Sequence, residues 1–497
     1  DKNGKPAEYS ADNIPLKPKY FLPVSTIGVK EGDYAMIFGY PGGTNRYETS
    51  FGVNIKTTIE NPAIVNLRDV RLKAMFAQMK KDPAVRLKLA SSYAGIANYW
   101  KFYDGERKQL LQYDVEGQKK IQEAAFTQWA QGKPEYAHIF SDYARAYDEW
   151  KPYARQRIYL REGILGSPLA AFAANLMLVE RALTTPGMPA DALPKALAAA
   201  GDARKTFLET EDRPSDQQII SATARMFYTD IDKNQQPIGF YENIRSKFGD
   251  LNDDNTWRIW AASMLNNTFI LDDKKWNDFV AHPDAVTLQN DPAYAYADAF
   301  LKNYNSKYQP IFALFNTRNE DLGRAYLKGV MEMEPNKQRY PDATFTMRLT
   351  YGQVKAYSPR DAVHYDYACT MTGVMQKYVP GDYEFDLPQH YLDLYKKKDF
   401  GPYKDAAHND VVVCFITTND ITGGNSGSPV LNANGELIGL AFDGNYEALS
   451  HKIQFDPVYN RTICVDIRYV LWCIDKLGGA KNLINELKLS GGAVMKQ

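Results

Sequence analysis

Two stretches of strand-like sequence flank a long helical middle, and a chain so ordered can complete one sheet only by bringing its ends together around that middle. Residues 20–56 alternate between Gly/Pro punctuation in "FLPVSTIGV", "DYAMIFGYPGG" and "YETSFGVNI", the pattern of short antiparallel strands. From Asn61 to about Asn336 the texture is helical. Ile64, Leu67, Val70 and Ala74/Met75 follow amphipathic spacing, and Asn61-Pro62, Asp82-Pro83 and Asp291-Pro292 read as cap and first-turn pairs. "TTPGMPADALP" (184–194) is a loop within this region, and no fixed repeat period points to a solenoid. After "RYPDATFTMRLTYG" (339–352) strands return in "VVVCFITT", "GELIGLAFDG" and "RTICVDI", and "RYVLWCIDKLGG" closes as a helix stopped by Gly478-Gly479. The order predicts an α+β chain: early strands in 1–56, an inserted α-helical domain in 57–340, and the rest of the β domain in 341–497.

Composition narrows the partners. A formal charge of −1 supplies no basic field for nucleic acid or anionic lipid, and no run of 18 apolar residues offers a membrane span. The four cysteines (Cys369, Cys414, Cys464, Cys473) lie in no C-x-x-C spacing, so they read as buried thiols or as one or two disulfides. No H-E-x-x-H or carboxylate–histidine cluster calls for a metal, and no cofactor motif is present. The opening "DKNG" is turn chemistry met inside a chain, and the N-terminus reads as a cut.

Chemistry concentrates in "ITGGNSGSPVLNANGELIGLAFDGN" (421–445). A nucleophilic serine must stand on a tight turn whose backbone N–H groups face the same point as its hydroxyl. Those groups stabilise the oxyanion of a tetrahedral intermediate by about 3–4 kcal/mol per donor. Ser426 is the candidate nucleophile and Gly424 the candidate N–H donor, with Asn425 between them. Gly423, Gly424 and Gly427 permit the turn. "SPVLNANGELIGLAF" then reads as strand, turn and strand, which places Gly439–Asp443 beside the serine.

These motifs carry a resemblance. "GNSGSPV" with "NGELIGLAF" resembles the chymotrypsin-like clan of serine peptidases. The wider set, "YAMIFGYPGGTNRY", "AGIANYWK", "YPDATFTMRLTYG", "ITGGNSGSPVLN", "GLAFDGNYEA" and "CVDIRYVLW", is similar to the bacterial dipeptidyl-peptidase 7 and dipeptidyl-peptidase 11 family along essentially the whole chain. The resemblance implies the second β-barrel of a double barrel, with the helical domain inserted in it. It also implies oligopeptide substrates with a free amino terminus, a homodimer, and a periplasmic or secreted location.

That family's triad histidine and aspartate lie on the first barrel, ahead of the serine. None of the six histidines here (His138, His282, His364, His390, His408, His451) has a matching setting, so the base and its orienter are expected in a segment upstream of Asp1. The chain alone is then expected to be an inactive fragment.

By the same resemblance the strand Ala441-Phe442-Asp443-Gly444 lines the pocket for the residue before the scissile bond. The acid-specific branch carries arginine at the position of Gly444, whereas glycine leaves the pocket open and apolar, which implies a hydrophobic or aromatic penultimate residue. Asp443 is implied as the carboxylate that holds the substrate ammonium, with Asn98 of "AGIANYWK" as its helical partner. Ser91, Ala94, Gly95 and Phe102 share the Asn98 helix face. An Asp/Glu-specific dipeptidyl-peptidase and a non-catalytic peptide-binding relative are the alternatives.

Overall fold

A computed structural model describes residues 1–14 and 16–491, and two compact units divide it: 1–46 with 339–497, and 47–338. In the first, eleven short strands follow in chain order among the described residues. They are β1 (Val24–Ser25), β2 (Tyr34–Gly39), β3 (Arg348–Gln353), β4 (Tyr357–Arg360), β5 (Val363–Tyr365), β6 (Ala368–Thr370), β7 (Val412–Thr417), β8 (Ser428–Leu431), β9 (Leu437–Gly444), β10 (Thr462–Asp466) and β11 (Leu489–Ser490). The main sheet runs β3-β2-β8-β9-β10-β7-β6 with antiparallel neighbours, β1 joins β9 and β11 in parallel, and β4-β5 form a separate hairpin. A bridge between Val354 and Thr417 brings the end of β3 to β7, so the six strands from β3 to β7 close on themselves. The interior is filled by Val29, Ala35, Ile37, Phe415, Val430, Ile438, Ala441 and Cys464.

The early and late segments meet through β2, which pairs with β3 along its length (Tyr34↔Gln353 to Gly39↔Arg348) and with β8 at Met36↔Leu431 and Ile37↔Val430. The late helix Ile467–Trp472 is anchored by a buried charge network. Asp466 caps its Arg468 N–H and pairs with the guanidinium at 2.8 Å, while Asp405 takes the other nitrogen at 2.8 Å. Arg468 holds the Asp405 carboxyl far below the usual carboxylate range despite its partial burial.

The helical unit starts earlier than its sequence pattern suggests. Residues 47–56, read as strand, enter a helix: α1 (Ser50–Ile55) passes through a π-helical turn (Lys56–Glu60) into α2 (Asn61–Met79). The cap is tertiary, because Glu123 accepts the Ser50 N–H at 2.6 Å and its hydroxyl at 2.7 Å from 73 residues away. Asn61 is accordingly no cap. It lies mid-helix with αR backbone and donates to the buried Glu106. The wide turn just before it accommodates Pro62, which has no N–H for the ladder. Asp82 does cap α3 (Pro83–Gln112) through the Ala84 N–H, and Asp291 caps the helix Pro292–Lys307 through Ala293 and Tyr294.

Candidate active site

The loop between β7 and β8 is held from several sides. Thr422 and Asn425 are both buried, and they exchange two bonds: the Asn425 N–H to the Thr422 carbonyl, and the Thr422 N–H to Asn425 Oδ1, each 3.1 Å. Upstream, Asn419 donates to the Ala35 carbonyl of β2 and accepts from Thr462 of β10. Asp420 takes a bidentate pair from Arg46 at 2.9 Å on each nitrogen, and Arg46 lies over the Tyr340 and Phe455 rings. Downstream, the Gly427 N–H binds the Ala441 carbonyl at 2.7 Å, which fixes the loop to β9. A cavity of about 530 Å³ abuts this loop, lined by Thr422 and Asn425 together with Arg46, Thr350, Tyr351 and Phe455.

Ser426 stands exposed at the apex. Gly424 beside it has φ +108°, and a Cβ there would lie 2.4 Å from the Tyr40 carbonyl oxygen, so no other residue fits without moving the backbone. Among the described residues, neither the Gly424 nor the Ser426 N–H has an acceptor, and the Ser426 hydroxyl has no hydrogen-bond partner. Two free backbone donors on the same turn as an exposed hydroxyl are the parts an oxyanion site requires.

Of the sequence-predicted residues, Ser426, Gly424 and Asn425 share this turn, and Phe442, Asp443 and Gly444 follow Ala441 on the adjoining β9. Phe442 and Asp443 are exposed, and the Asp443 carboxylate accepts the Gly444 N–H at 2.8 Å. Gly444 has no left-handed backbone. A Cβ built on it would meet only Ala448 Cβ at 3.7 Å and the Arg461 oxygen at 3.8 Å, which is ordinary contact. Asn98 is exposed on α3 and belongs to the helical unit. Ser91, Ala94 and Gly95 of the same helix are exposed too, while Phe102 is half-buried.

None of the six histidines bonds to Ser426 among the described residues. His364 contacts Ser358, His390 the Lys476 carbonyl, and His408 the Asp405 carboxylate, while His138 and His282 belong to the helical unit. His451, which has no triad-like setting in the sequence, is the one that reaches the loop. Its Nδ1 bonds to the Ala448 carbonyl at 2.7 Å and its Nε2 to Thr422 Oγ1 at 3.1 Å. Burial pushes its pKa down to about 4, so it is neutral at pH 7 and braces the loop through a neutral tautomer.

The sequence reading missed a second brace, the "GYPGG" turn, which it took only as the end of an early strand. The Gly42 N–H donates to the Gly423 carbonyl at 2.6 Å. Gly39 is pressed against the loop so closely that a Cβ would lie 2.3 Å from Asn425 Nδ2. Its only visible signal was an excess of glycine, which does not name a partner almost four hundred positions on.

A family model for Peptidase S46 matches residues 1–489. The chain belongs to the peptidase S46 family. An Asp/Glu-specific dipeptidyl-peptidase of Flavobacterium psychrophilum is 38% identical over 498 residues, covering 98% of this chain and 67% of that protein. Dipeptidyl-peptidase 7 of Phocaeicola vulgatus is 36% identical over 501 residues, with 98% and 67% covered. The crystal structure of Porphyromonas endodontalis DPP11 with the dipeptide Arg-Glu superposes with a TM-score of 0.87 at 29% identity, covering 99% of this chain and 69% of that one. This S46 chain thus spans about two thirds of the length of the relatives it matches, and it is the chain of an enzyme of the dipeptidyl-peptidase type. The identities do not separate the two kinds of relative.

Proposed function

We propose that the chain carries the nucleophile and the selecting strand of a serine exopeptidase that releases dipeptides from free amino termini. The observation that carries this reading is the exposed Ser426 hydroxyl on the same turn as two backbone N–H groups without acceptors among the described residues, in a loop bonded directly to β9. In this reading Ser426 Oγ attacks the carbonyl of the second residue while a histidine takes its proton. The Gly424 and Ser426 N–H groups bind the resulting oxyanion. Collapse expels the remaining peptide as an amine that regains the proton, and water then hydrolyses the dipeptidyl ester. Asn425 sets the turn through its bonds with Thr422. Asp443 receives the substrate ammonium by a charge-assisted bond.

The histidine and aspartate of the triad belong, in the same proposal, to sequence outside these 497 residues, on a first barrel that completes a double barrel. The relatives' greater length and the lack of a base at Ser426 support this. A homodimer and a periplasmic or secreted location belong to the proposal as well and rest on the family resemblance.

Selectivity for hydrophobic or aromatic penultimate residues is inferred from Gly444. The position tolerates a side chain in both backbone and space, so glycine there reads as a choice about the pocket. The curated Asp/Glu-specific relatives favour the alternative of an acidic penultimate residue, and the two readings part on substrate preference.

The test compares this chain with the longer protein on fluorogenic dipeptidyl substrates, with free and with N-acetylated termini. The longer protein should cleave the free form, prefer Leu, Met or Phe over Asp or Glu, and lose turnover with Ser426→Ala, while the 497 residues alone should be inactive. Turnover by this chain alone that Ser426→Ala removes would overturn the missing-base reading, and His451 would be the first replacement to examine. In the longer protein Asp443→Asn should lower kcat/KM about 30-fold or more on the free substrate only. An equal loss on the acetylated one would make Asp443 a wall residue.

A further inference from the structure

Two of the four cysteines face each other across the edge of the sheet. Cys369 of β6 is in register with Cys414 of β7, and β6 is the last strand on that side. Opposed residues of an antiparallel pair share a face with Cα atoms about 4.5–5.5 Å apart, inside the span of roughly 4.4–6.8 Å that a disulfide bridges. Each thiol shifts the other's ionisation, Cys369 being brought down and Cys414 pushed up by their proximity. Cys369 is exposed and Cys414 half-buried.

The other two cysteines are excluded by position. Cys464 of β10 is in register with Phe415, one residue along β7, so it points with Phe415 into the barrel core, where it is fully buried. Cys473 lies in the turn that continues the helix Ile467–Trp472, on no strand of the sheet. Within the pair, Cys369 is the more readily ionised: Cys414 brings its thiol down to about 7 against a partial burial that opposes it, while Cys369 and burial push the Cys414 thiol up.

We propose that Cys369 and Cys414 form a modification site, a cross-strand dithiol that a disulfide oxidant converts into an intrachain disulfide. The Cys369 thiolate attacks one sulfur of R–S–S–R, forming a mixed disulfide and releasing one thiolate. Cys414 then loses its proton and attacks the Cys369 sulfur, which expels the second thiolate. Both thiolates take up the two protons that the cysteines gave. The protein is oxidised by two electrons and the reagent is reduced to two thiols. The new bond fastens the exposed edge strand to β7, the strand that leads through Thr417 into the nucleophile loop. The proposal stands apart from the peptidase reading, since it needs no substrate.

The experiment treats the reduced protein with glutathione disulfide near neutral pH, alkylates it in denaturant, and maps peptides without reduction. Of the four thiols, two should remain alkylatable, Cys464 and Cys473. The Cys369 and Cys414 peptides should appear joined, two hydrogens lighter than their sum, and dithiothreitol should separate them. Cys414→Ser should stop at glutathione bound to Cys369, and Cys369→Ser should take up no glutathione. Four alkylatable thiols after oxidation, a bridge to Cys464 or Cys473, or glutathione retained on wild-type Cys369 would each overturn the assignment.

Discussion

The nucleophile loop and the end of β9 are bonded to each other, yet they are built on opposite principles. In the loop, Thr422 and Asn425 are buried, their bonds close on one another, and Gly424 is held in a left-handed conformation against the Tyr40 carbonyl. At the end of β9, Phe442 and Asp443 are exposed, and Gly444 has ordinary backbone with room for a side chain. The loop's residues are dictated by backbone geometry, and those of the strand end by what they will touch. A site so divided can change its preference at one strand without disturbing its chemistry at the other.

Gly424→Ala attacks the constrained side and should have the largest effect. The added methyl must displace the Tyr40 carbonyl or turn the N–H away, so kcat should fall about 10²–10³-fold in the longer protein, as for loss of one oxyanion donor. Steady-state kinetics at saturating substrate check it, and an unchanged kcat would remove Gly424 from the site.

The brace behind the loop should respond to acid. His451 has its pKa lowered to about 4 in the fold from an ordinary 6.5, so the unfolded chain binds its proton first as pH falls. Its stabilising contribution is present above pH 6.5 and is lost between about 6.5 and 4, on the order of 3 kcal/mol. Unfolding curves across that window should show wild type losing more stability than His451→Gln, which cannot titrate. Parallel curves would mean that the histidine is solvated.

On the permissive side, Gly444→Arg in the longer protein should raise the ratio of Asp/Glu to Leu/Phe turnover by about tenfold or more. An unpaired cation is disfavoured beside an apolar side chain and favoured beside an acid. Loss of activity on all substrates alike would show that the strand end is as constrained as the loop. The smallest effect is expected for Gly444→Ala, which should leave unfolding stability within about 0.5 kcal/mol of wild type. The same glycine-to-alanine change thus tests both halves of the contrast.

What the sequence alone determined about this protein is what lies within a few residues of its cause. The hairpin after Ser426 was legible because Asn432 Oδ1 accepts the Asn434 and Glu436 N–H groups, closing the "NANG" turn on itself. The caps at Asp82 and Asp291 were legible because each bonds an N–H two or three positions on. The glycine-flanked serine turn was legible for the same reason. Only the tertiary structure decided the rest. "SFGVNI" has the composition of a strand and folds as a helix because Glu123 caps it from 73 residues away. Asn61 resembles a cap and instead satisfies the buried Glu106. The brace of the nucleophile loop draws on Gly39, Gly42 and Arg46, the last paired to Asp420 across 374 positions. Local hydrogen bonds leave a signature in residue order, whereas a partner brought in by the closing of a sheet leaves none, since any donor or acceptor of the right reach would have served.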